Sequence, residues 1–207
     1  MKIFITGIST DVGKTISSAI VVESLKADYW KPVQAGDLEN SDSHKVKRLI
    51  SNSTSIFFSN SYQLNTPASP HYAAKIDGVE ITIDCVKTPK TANNLVIEGA
   101  GGLFVPLNDT DCIIDLIKPE YKVILVSRHY LGSINHTILS IEALKSRGIE
   151  VAGILYSGDE NHATEAIINS KYKIPVIGRI EQEPYFDKEV IADYANQFRE
   201  NLQAMLD

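Results

Sequence analysis

Near the start of the chain, a lysine and a threonine follow a loop that begins and ends with glycine: Gly-Ile-Ser-Thr-Asp-Val-Gly-Lys-Thr at residues 7–15. The largely apolar run before it, residues 2–6, is typical of a buried strand. Strand, loop and helix start together form a P-loop pattern, whose backbone N–H groups bind phosphates. The pattern predicts that Lys14 contacts the β- and γ-phosphates of a nucleotide and that Thr15 binds Mg²⁺. The loop is one residue longer than the general pattern, and an ordinary turn is the alternative interpretation.

Three further charged residues stand where predicted strands end or where loops follow them. Lys31 lies in an apolar segment, Asp42 lies in a polar loop, and Glu98 ends the run Leu-Val-Ile before Gly-Ala-Gly-Gly. A buried carboxylate is costly without a partner, and a metal ion or a phosphate-binding network supplies one. Thr15, Asp42 and Glu98 would form an all-oxygen site that suits Mg²⁺. An exposed strand-end lysine is the alternative for Lys31, and a helix N-cap is the alternative for Asp42.

The elements that must position these residues are apolar strands separated by helical segments. We predict strands at residues 2–6, 29–33, 95–98, 123–126, 150–155 and 176–178, and helices at 16–26, 43–50, 133–147 and 188–205. Continuous apolar strands predict an α/β fold, a mainly parallel sheet covered by helices on both faces. Ligands bind such sheets at the carboxyl ends of the strands, where Thr10, Ser127 and Ser157 also fall. Residues 52–70 give no clear prediction.

The composition is that of one ordinary globular domain, residues 1–207, with 43% hydrophobic and 22% charged residues. A net charge of −6 argues against nucleic acid or an anionic membrane as the main partner. No apolar run reaches the length of a membrane span, and a strand that starts at residue 2 leaves no room for a signal peptide. We therefore expect a cytoplasmic protein, with Cys85 and Cys112 as reduced core thiols.

With these motifs in place, the sequence resembles the dethiobiotin synthetases of biotin biosynthesis, which share a P-loop NTPase-like fold. The stretches that carry the resemblance are residues 7–15, 31–36, 40–42, 69–71, 98–107 and 131–136, in order over most of the chain. The stretches at 98–107 and 131–136 are more specific than the P-loop alone. The longer loop, unusual against the general pattern, is the spacing of this family.

The resemblance implies a homodimeric, Mg²⁺-dependent ligase that joins 7,8-diaminopelargonate, CO₂ (or bicarbonate) and ATP into dethiobiotin, ADP and phosphate. A substrate amine captures CO₂ as a carbamate, ATP phosphorylates the carbamate, and the second amine closes the ring as phosphate leaves. Carbamate and γ-phosphate are both negative, so clustered cations must bring them together.

The resemblance also implies roles for individual residues. The catalytic residues are Lys14, Lys31 and Thr10. The metal ligands are Thr15, Asp42 and Glu98. The nucleotide contacts are Asp11, Val12, Gly13, Lys14, Thr15, Ile16, Glu98, Gly99, Ala100, Gly101, Ser157 and Glu181. The substrate contacts are Thr10, Lys31, Ala35 and a loop from the partner subunit, Leu131, Gly132, Ser133, Ile134 and Asn135, whose backbone N–H groups would receive the substrate carboxylate.

Two positions depart from the family. Ala35 stands where the family usually has Ser or Thr, so a hydroxyl contact to substrate is missing. Ser157 stands where many members have an Asn that reads the adenine edge, which leaves the base selectivity open. Glu181, in an acidic run, either reads amino groups of the base or is merely solvated. His71 and His136 are predicted to be structural hydrogen-bonding residues.

Other P-loop proteins are the competing interpretations. A ParA/MinD-like ATPase switch would carry an extra lysine early in the loop, where this chain has Ile8 and Ser9. A switch would also hydrolyse ATP without the diamine, which a synthetase would not. An amidotransferase of the cobyrinate type would need a glutaminase domain with a nucleophilic cysteine, for which the chain lacks room.

Overall fold

The computed structural model describes residues 1–206, which form nine strands and seven α-helices. The strands are β1 (Lys2–Gly7), β2 (Asp28–Trp30), β3 (Val33–Ala35), β4 (Phe57–Phe58), β5 (Tyr62–Leu64), β6 (Leu95–Gly102), β7 (Lys122–Arg128), β8 (Val151–Ser157) and β9 (Val176–Ile180). The helices are α1 (Lys14–Leu25), α2 (Asp42–Leu49), α3 (Pro70–Asp77), α4 (Ser133–Ser146), α5 (His162–Tyr172), α6 (Lys188–Gln197) and α7 (Arg199–Leu206).

Seven strands form one parallel sheet in the order β4-β2-β6-β1-β7-β8-β9. From β1 the chain crosses through α1 toward β2, and from β7 it crosses through α4 in the opposite direction toward β8. Because such crossovers are right-handed, α1 and α4 cover opposite faces. Helices α2, α6 and α7 join α1, and α5 joins α4. The predicted α/β architecture is confirmed.

The middle of the sheet is the core of the molecule. Side chains of β1, β6 and β7 such as Ile3, Phe4, Val96 and Leu125 are inaccessible to solvent. Burial on both faces explains why these strands are continuously apolar rather than alternating. The strands end together at one edge of the sheet, so residues that follow them must meet there.

Two predicted elements are divided. The strand expected at 29–33 is split into β2 and β3, because Pro32 has no N–H to donate to the ladder. Its carbonyl instead accepts from Ser61 and Tyr62, and β3 pairs with β5 outside the main sheet. The helix expected at 188–205 is interrupted at Phe198, whose buried ring lies against Gly178.

Other expectations are completed or corrected. Residues 52–70 contain β4 and β5, and α3 and α5 were not predicted. Both cysteines are free, but the prediction that both lie in the core is wrong for Cys85, whereas Cys112 packs against the edge of the core. Cys85 is exposed on the short 3₁₀ helix Ile83–Cys85, and Cys112 is half-buried. Within residues 1–206, no helix combines the length and apolarity that crossing a bilayer requires.

Candidate active site

The loop between β1 and α1 is tightly packed. A Cβ placed on Gly7 would lie 2.5 Å from Val12 and 3.2 Å from Lys14 Nζ, so only glycine fits there. Gly13, with φ of 98°, adopts a left-handed conformation at the start of α1. Lys14 Nζ donates to the Ser9 carbonyl at 2.9 Å. The lysine therefore folds back over the loop.

Lys31, Asp42, Glu98 and Thr15 meet at the carboxyl edge of the sheet. Lys31 Nζ lies 2.5 Å from Asp42 Oδ2 and 3.1 Å from Glu98 Oε1, and Thr15 donates to the same Glu98 oxygen at 3.0 Å. Trp30 pairs with Ile97 across β2 and β6, which brings the next residue of each strand together. The register of two neighbouring strands thus creates the cluster that the sequence predicted.

Burial decides between the alternatives left open by the sequence. Lys31 is 4% exposed, so it is not a surface lysine. The N-cap of α2 is Ser41, whose side chain accepts from the His44 N–H, so Asp42 is not the cap. Asp42 is instead the first residue of α2, with its carboxylate turned to Lys31. Both residues therefore belong to the cluster.

The charges of the cluster stabilise one another. Burial opposes the charge on Lys31, but Glu98 and Asp42 outweigh burial and hold the pKa of Lys31 above its ordinary value. Burial likewise acts to raise the pKa of Asp42, but Lys31 prevails and the pKa is lowered. Lys45 adds a second cation, 3.6 Å from Asp42 Oδ1. Burial lowers the pKa of Lys14 to about 8, and the charge of Glu98 offsets this effect only in part.

The oxygen atoms of Thr15, Asp42 and Glu98 fit a magnesium ion. Hydroxyl and carboxylate oxygens are hard donors, and Mg²⁺ commonly takes one or two carboxylates together with nucleotide phosphates and water. Within residues 1–206, no group of three or more His, Cys, Asp and Glu side chains is arranged to hold a metal. A cation at this cluster would therefore depend on nucleotide oxygens for the rest of its coordination.

A cleft of about 670 Å³ opens above the cluster. Its size suits a small-molecule site. The predicted site residues that line it are Thr10, Asp11, Gly13, Lys14, Thr15, Ile16, Lys31, Ala35, Asp42, Glu98, Ala100 and Gly101. Ser157 is at its edge, because a Cβ placed on Gly13 would lie 3.0 Å from Ser157 Oγ.

Some predicted contacts lie outside the cleft. The side chain of Val12 is buried beneath the loop, and Gly99 lies among core side chains, next to Phe4 and Ile113. Glu181 lines a separate depression of about 380 Å³. Its carboxylate lies 3.6 Å from the guanidinium of Arg179.

The loop formed by Leu131, Gly132, Ser133, Ile134 and Asn135 lines another depression, of about 780 Å³, at the start of α4. Leu131 is fully exposed there, and within one chain this loop does not reach the P-loop cleft. His136, in the first turn of α4, is hydrogen-bonded to the Tyr130 hydroxyl at 2.7 Å, in agreement with a structural role.

Three residues near the cleft were missed by the sequence analysis. Tyr29 donates to Glu98 Oε2 at 2.8 Å, and the Gln34 side chain accepts from the Asp42 N–H at 3.2 Å. Arg128 donates to the Asp11 carbonyl at 3.3 Å, across the P-loop. Tyr29 had a usable signal, since a residue two positions before Lys31 on a neighbouring strand faces the same side as Glu98.

The sequence matches a known domain family and named relatives. The AAA domain model matches residues 1–190. The ATP-dependent dethiobiotin synthetase BioD of Christiangramia forsetii is 66% identical over 96% of this chain and 96% of its own length. The enzyme of the same name from Cytophaga hutchinsonii is 48% identical over 97% of this chain and 98% of its own.

The fold matches solved structures at low sequence identity. The septum site-determining protein MinD of Pyrococcus horikoshii, complexed with Mg-ADP, superposes with a TM-score of 0.58 at 14% identity, covering 100% of this chain and 93% of that one. MinD of Pyrococcus furiosus superposes with a TM-score of 0.60 at 12% identity, covering 97% and 99%. At such identities the likeness concerns the fold alone.

Proposed function

This chain belongs to the ATP-dependent dethiobiotin synthetase family, and we propose that its P-loop cleft is where 7,8-diaminopelargonate, CO₂ and Mg²⁺-ATP react. That the chain is an ATP-binding P-loop ligase that forms dethiobiotin follows from relatives that match it over nearly its whole length. The assignment of substrate, metal and residue roles to the cleft is our proposal. The observation that carries it is the buried cluster of Lys31, Asp42, Glu98 and Thr15 beside the P-loop.

In the proposed reaction, one amine of the diamine attacks CO₂ and loses a proton, which gives a carbamate. A carbamate oxygen attacks the γ-phosphorus of ATP, the bond to the β-phosphate oxygen breaks, and ADP leaves. The second amine then attacks the carbonyl carbon of the carbamic–phosphoric anhydride. Phosphate leaves, a proton is released and the ureido ring closes.

The chain's own residues have distinct tasks in this proposal. The N–H groups of the loop from Asp11 to Ile16 bind the phosphates, and Lys14 stabilises charge on the transferring phosphoryl group. Lys31, fixed at the base of the cleft, stabilises the carbamate. Thr10 hydrogen-bonds the reacting nitrogen or carbamate, and the backbone around Ala35 supplies what its missing hydroxyl cannot.

Thr15, Asp42 and Glu98 would hold Mg²⁺. When bound there, the ion would screen the negative charge of the phosphates. Glu98 is 1% exposed, so its charge is poorly screened by water and its attraction for a cation is strong.

We propose that the active enzyme is a homodimer. Around the start of α4, Leu131 is fully exposed, Leu139 is 57% exposed, and Tyr130 and Ile134 are 39% and 38% exposed. A cluster of exposed apolar side chains is typical of a protein interface. A partner subunit seated there would bring the N–H groups of residues 131–135 to the diamine carboxylate.

The base-binding side of the cleft is proposed to be less selective than that of relatives with Asn. Ser157 offers one hydroxyl in place of the donor and acceptor of an amide. We expect Ser157→Asn to increase the preference for ATP over other nucleoside triphosphates, measured as the ratio of kcat/KM values. An unchanged ratio would remove Ser157 from base recognition.

Phosphate release tests the proposal directly. The purified protein is given Mg²⁺-ATP and bicarbonate with and without 7,8-diaminopelargonate, and dethiobiotin is detected by mass. We expect release to require the diamine and Lys31→Ala to abolish both signals, whereas Lys47→Ala, at an exposed lysine on α2, leaves them intact. Release that is indifferent to the diamine would refute the proposal and favour an ATPase switch.

A further inference from the structure

Tyr29 contacts the cluster of Lys31, Asp42, Glu98 and Thr15 from the side of the protein core. It is fully buried on β2, and its hydroxyl donates to Glu98 Oε2 at 2.8 Å. The other oxygen of the carboxylate, Oε1, accepts from Thr15 and Lys31. The two oxygens of Glu98 are therefore distinguished by their partners: one faces the core and one faces the nucleotide side.

The position of the Tyr29 hydroxyl is fixed by the sheet. Tyr29 pairs with Val96, two residues before Glu98, so the side chains of Tyr29 and Glu98 share a face of neighbouring strands. The ring packs against Phe57, with centroids 5.4 Å apart.

We propose that Tyr29 is a positioning residue for the magnesium site, which holds Glu98 Oε2 so that Oε1 faces Thr15 and the cleft. The inference rests on the proposed metal role of Glu98. The terminal torsion of a glutamate side chain is broad, so Thr15 and Lys31 alone leave the carboxylate free to turn. Partners that orient a metal ligand from behind are worth about 10–100-fold in metal affinity or activity.

The test is the affinity of the site for Mn²⁺, a paramagnetic probe, measured by electron paramagnetic resonance with a non-hydrolysable ATP analogue bound. We expect Tyr29→Phe to weaken Mn²⁺ binding about tenfold, the lower end of the range, because Thr15 and Lys31 still hold Oε1. Binding of the analogue in EDTA should be unchanged, since the phosphate loop is not touched.

Tyr156→Phe is the matched control. Tyr156 is also fully buried in the sheet, and its hydroxyl has no hydrogen-bond partner among the residues that the structure describes. Removal of the Tyr156 hydroxyl should therefore leave the affinity for Mn²⁺ at the wild-type value. A change of similar size in Tyr156→Phe would mean that the effect comes from altered packing of a buried ring, and would overturn the inference.

Glu98→Gln separates failure of the inference from failure of the proposed site. If Glu98→Gln weakens Mn²⁺ binding but Tyr29→Phe does not, the metal site stands and the inference is wrong. If Glu98→Gln binds Mn²⁺ as the wild type does, the metal role of Glu98 and the inference fail together. In the double variant Tyr29→Phe/Glu98→Gln, no buried carboxylate is left without the Tyr29 hydroxyl as its donor. This variant therefore tests the effect of Tyr29→Phe where the loss of the hydrogen bond cannot destabilise a charged Glu98. It should lose no more than Glu98→Gln alone, and a further loss would contradict action through Glu98.

Discussion

Removal of the Lys31 ammonium should destabilise the protein in a manner that depends on magnesium. Lys31→Met preserves much of the aliphatic volume but leaves Asp42 and Glu98 facing each other without the cation between them. Removing one partner of a buried ion pair costs about 3–5 kcal/mol. The lower end applies here, because Thr15 and Tyr29 still donate to Glu98 and the Asp42 side chain is 21% exposed.

A divalent cation should reverse part of this loss. In the variant, the two carboxylates and Thr15 form a site whose charge Lys31 no longer cancels, although Lys45 remains 3.6 Å from Asp42. A metal ion that binds only the folded state, with a Kd of about 1 mM, raises the free energy of unfolding by about 1.4 kcal/mol when the metal is present at 10 mM. We therefore expect Lys31→Met to be about 3 kcal/mol less stable than the wild type in EDTA, and roughly half as much in 10 mM Mg²⁺.

Urea unfolding measures both values, at one fixed protein concentration because a dimer's stability depends on it. Trp30 is the single tryptophan and the last residue of β2, directly before Lys31, so its fluorescence reports on this part of the sheet. Lys47→Met, at an exposed lysine, should stay within about 0.5 kcal/mol of the wild type. A loss below about 1 kcal/mol, or one that magnesium does not change, would refute the argument that Lys31 compensates two buried carboxylates.

Catalysis should suffer more than folding. Below the unfolding transition, where Lys31→Met is still folded, diamine-dependent phosphate release should fall about 10²–10³-fold, the usual loss for a charge-stabilising donor. The comparison is made at saturating diamine, so that weaker binding does not contribute. A variant that retains wild-type turnover would show that Lys31 serves stability alone.

Three further changes test other parts of the structure. Hydrogen bonds from Arg179 and His129 outweigh burial and hold the pKa of Glu165 below its ordinary 4.5, so its contribution to stability is present above pH 4.5 and lost as the pH falls below it. Glu165→Gln, which removes the charged acceptor of these hydrogen bonds, should cost about 1–3 kcal/mol at pH 7. The difference from the wild type should close in acid unfolding titrations below pH 4.5, and it would be absent if the pair were inert. Gly178→Ala places a Cβ 2.2 Å from the Phe198 ring and should cost about 1–3 kcal/mol in urea unfolding, part of which Phe198→Leu restores. Leu131→Asp should give a monomer without diamine-dependent activity by light scattering and phosphate release, and a stable, active dimer would contradict the proposed interface.

The convergence of the charged residues was predictable because it follows from topology. Lys31 and Glu98 each follow or end an apolar strand, and the carboxyl ends of parallel strands lie at one edge. What the sequence could not give is the register between β2 and β6, which decides that Tyr29 rather than Trp30 points to Glu98. This register is set between strands that are separated in sequence by residues 31–94. Local sequence patterns carry no information about it.

The two strands that were missed and the break in the last predicted helix share a physical cause. Strand β4 has two residues and β5 has three, so neither carries a periodic pattern, and each exists because β2 or β3 offers it hydrogen bonds. The interruption at Phe198 likewise depends on Gly178, twenty residues earlier, which leaves space for the ring. Such features are set by tertiary contacts and override local propensity.

The cluster of Lys31, Asp42, Glu98 and Thr15 adds a second cation and two carboxylates to what the P-loop alone would provide. Lys31 is paired with the two carboxylates that would hold a metal, so the lysine and a magnesium ion would compete for Asp42 and Glu98. A cation held by the carboxylates would weaken their attraction for Lys31, whose charge would then be available to an anionic substrate in the cleft. Burial lowers the pKa of Lys14 to about 8, and the charge of Glu98 offsets this only in part. In our proposal, a nucleotide phosphate is the anion that pairs with Lys14. We propose that Lys14 takes up the nucleotide first and that Lys31 becomes available to the carbamate once a metal occupies the two carboxylates.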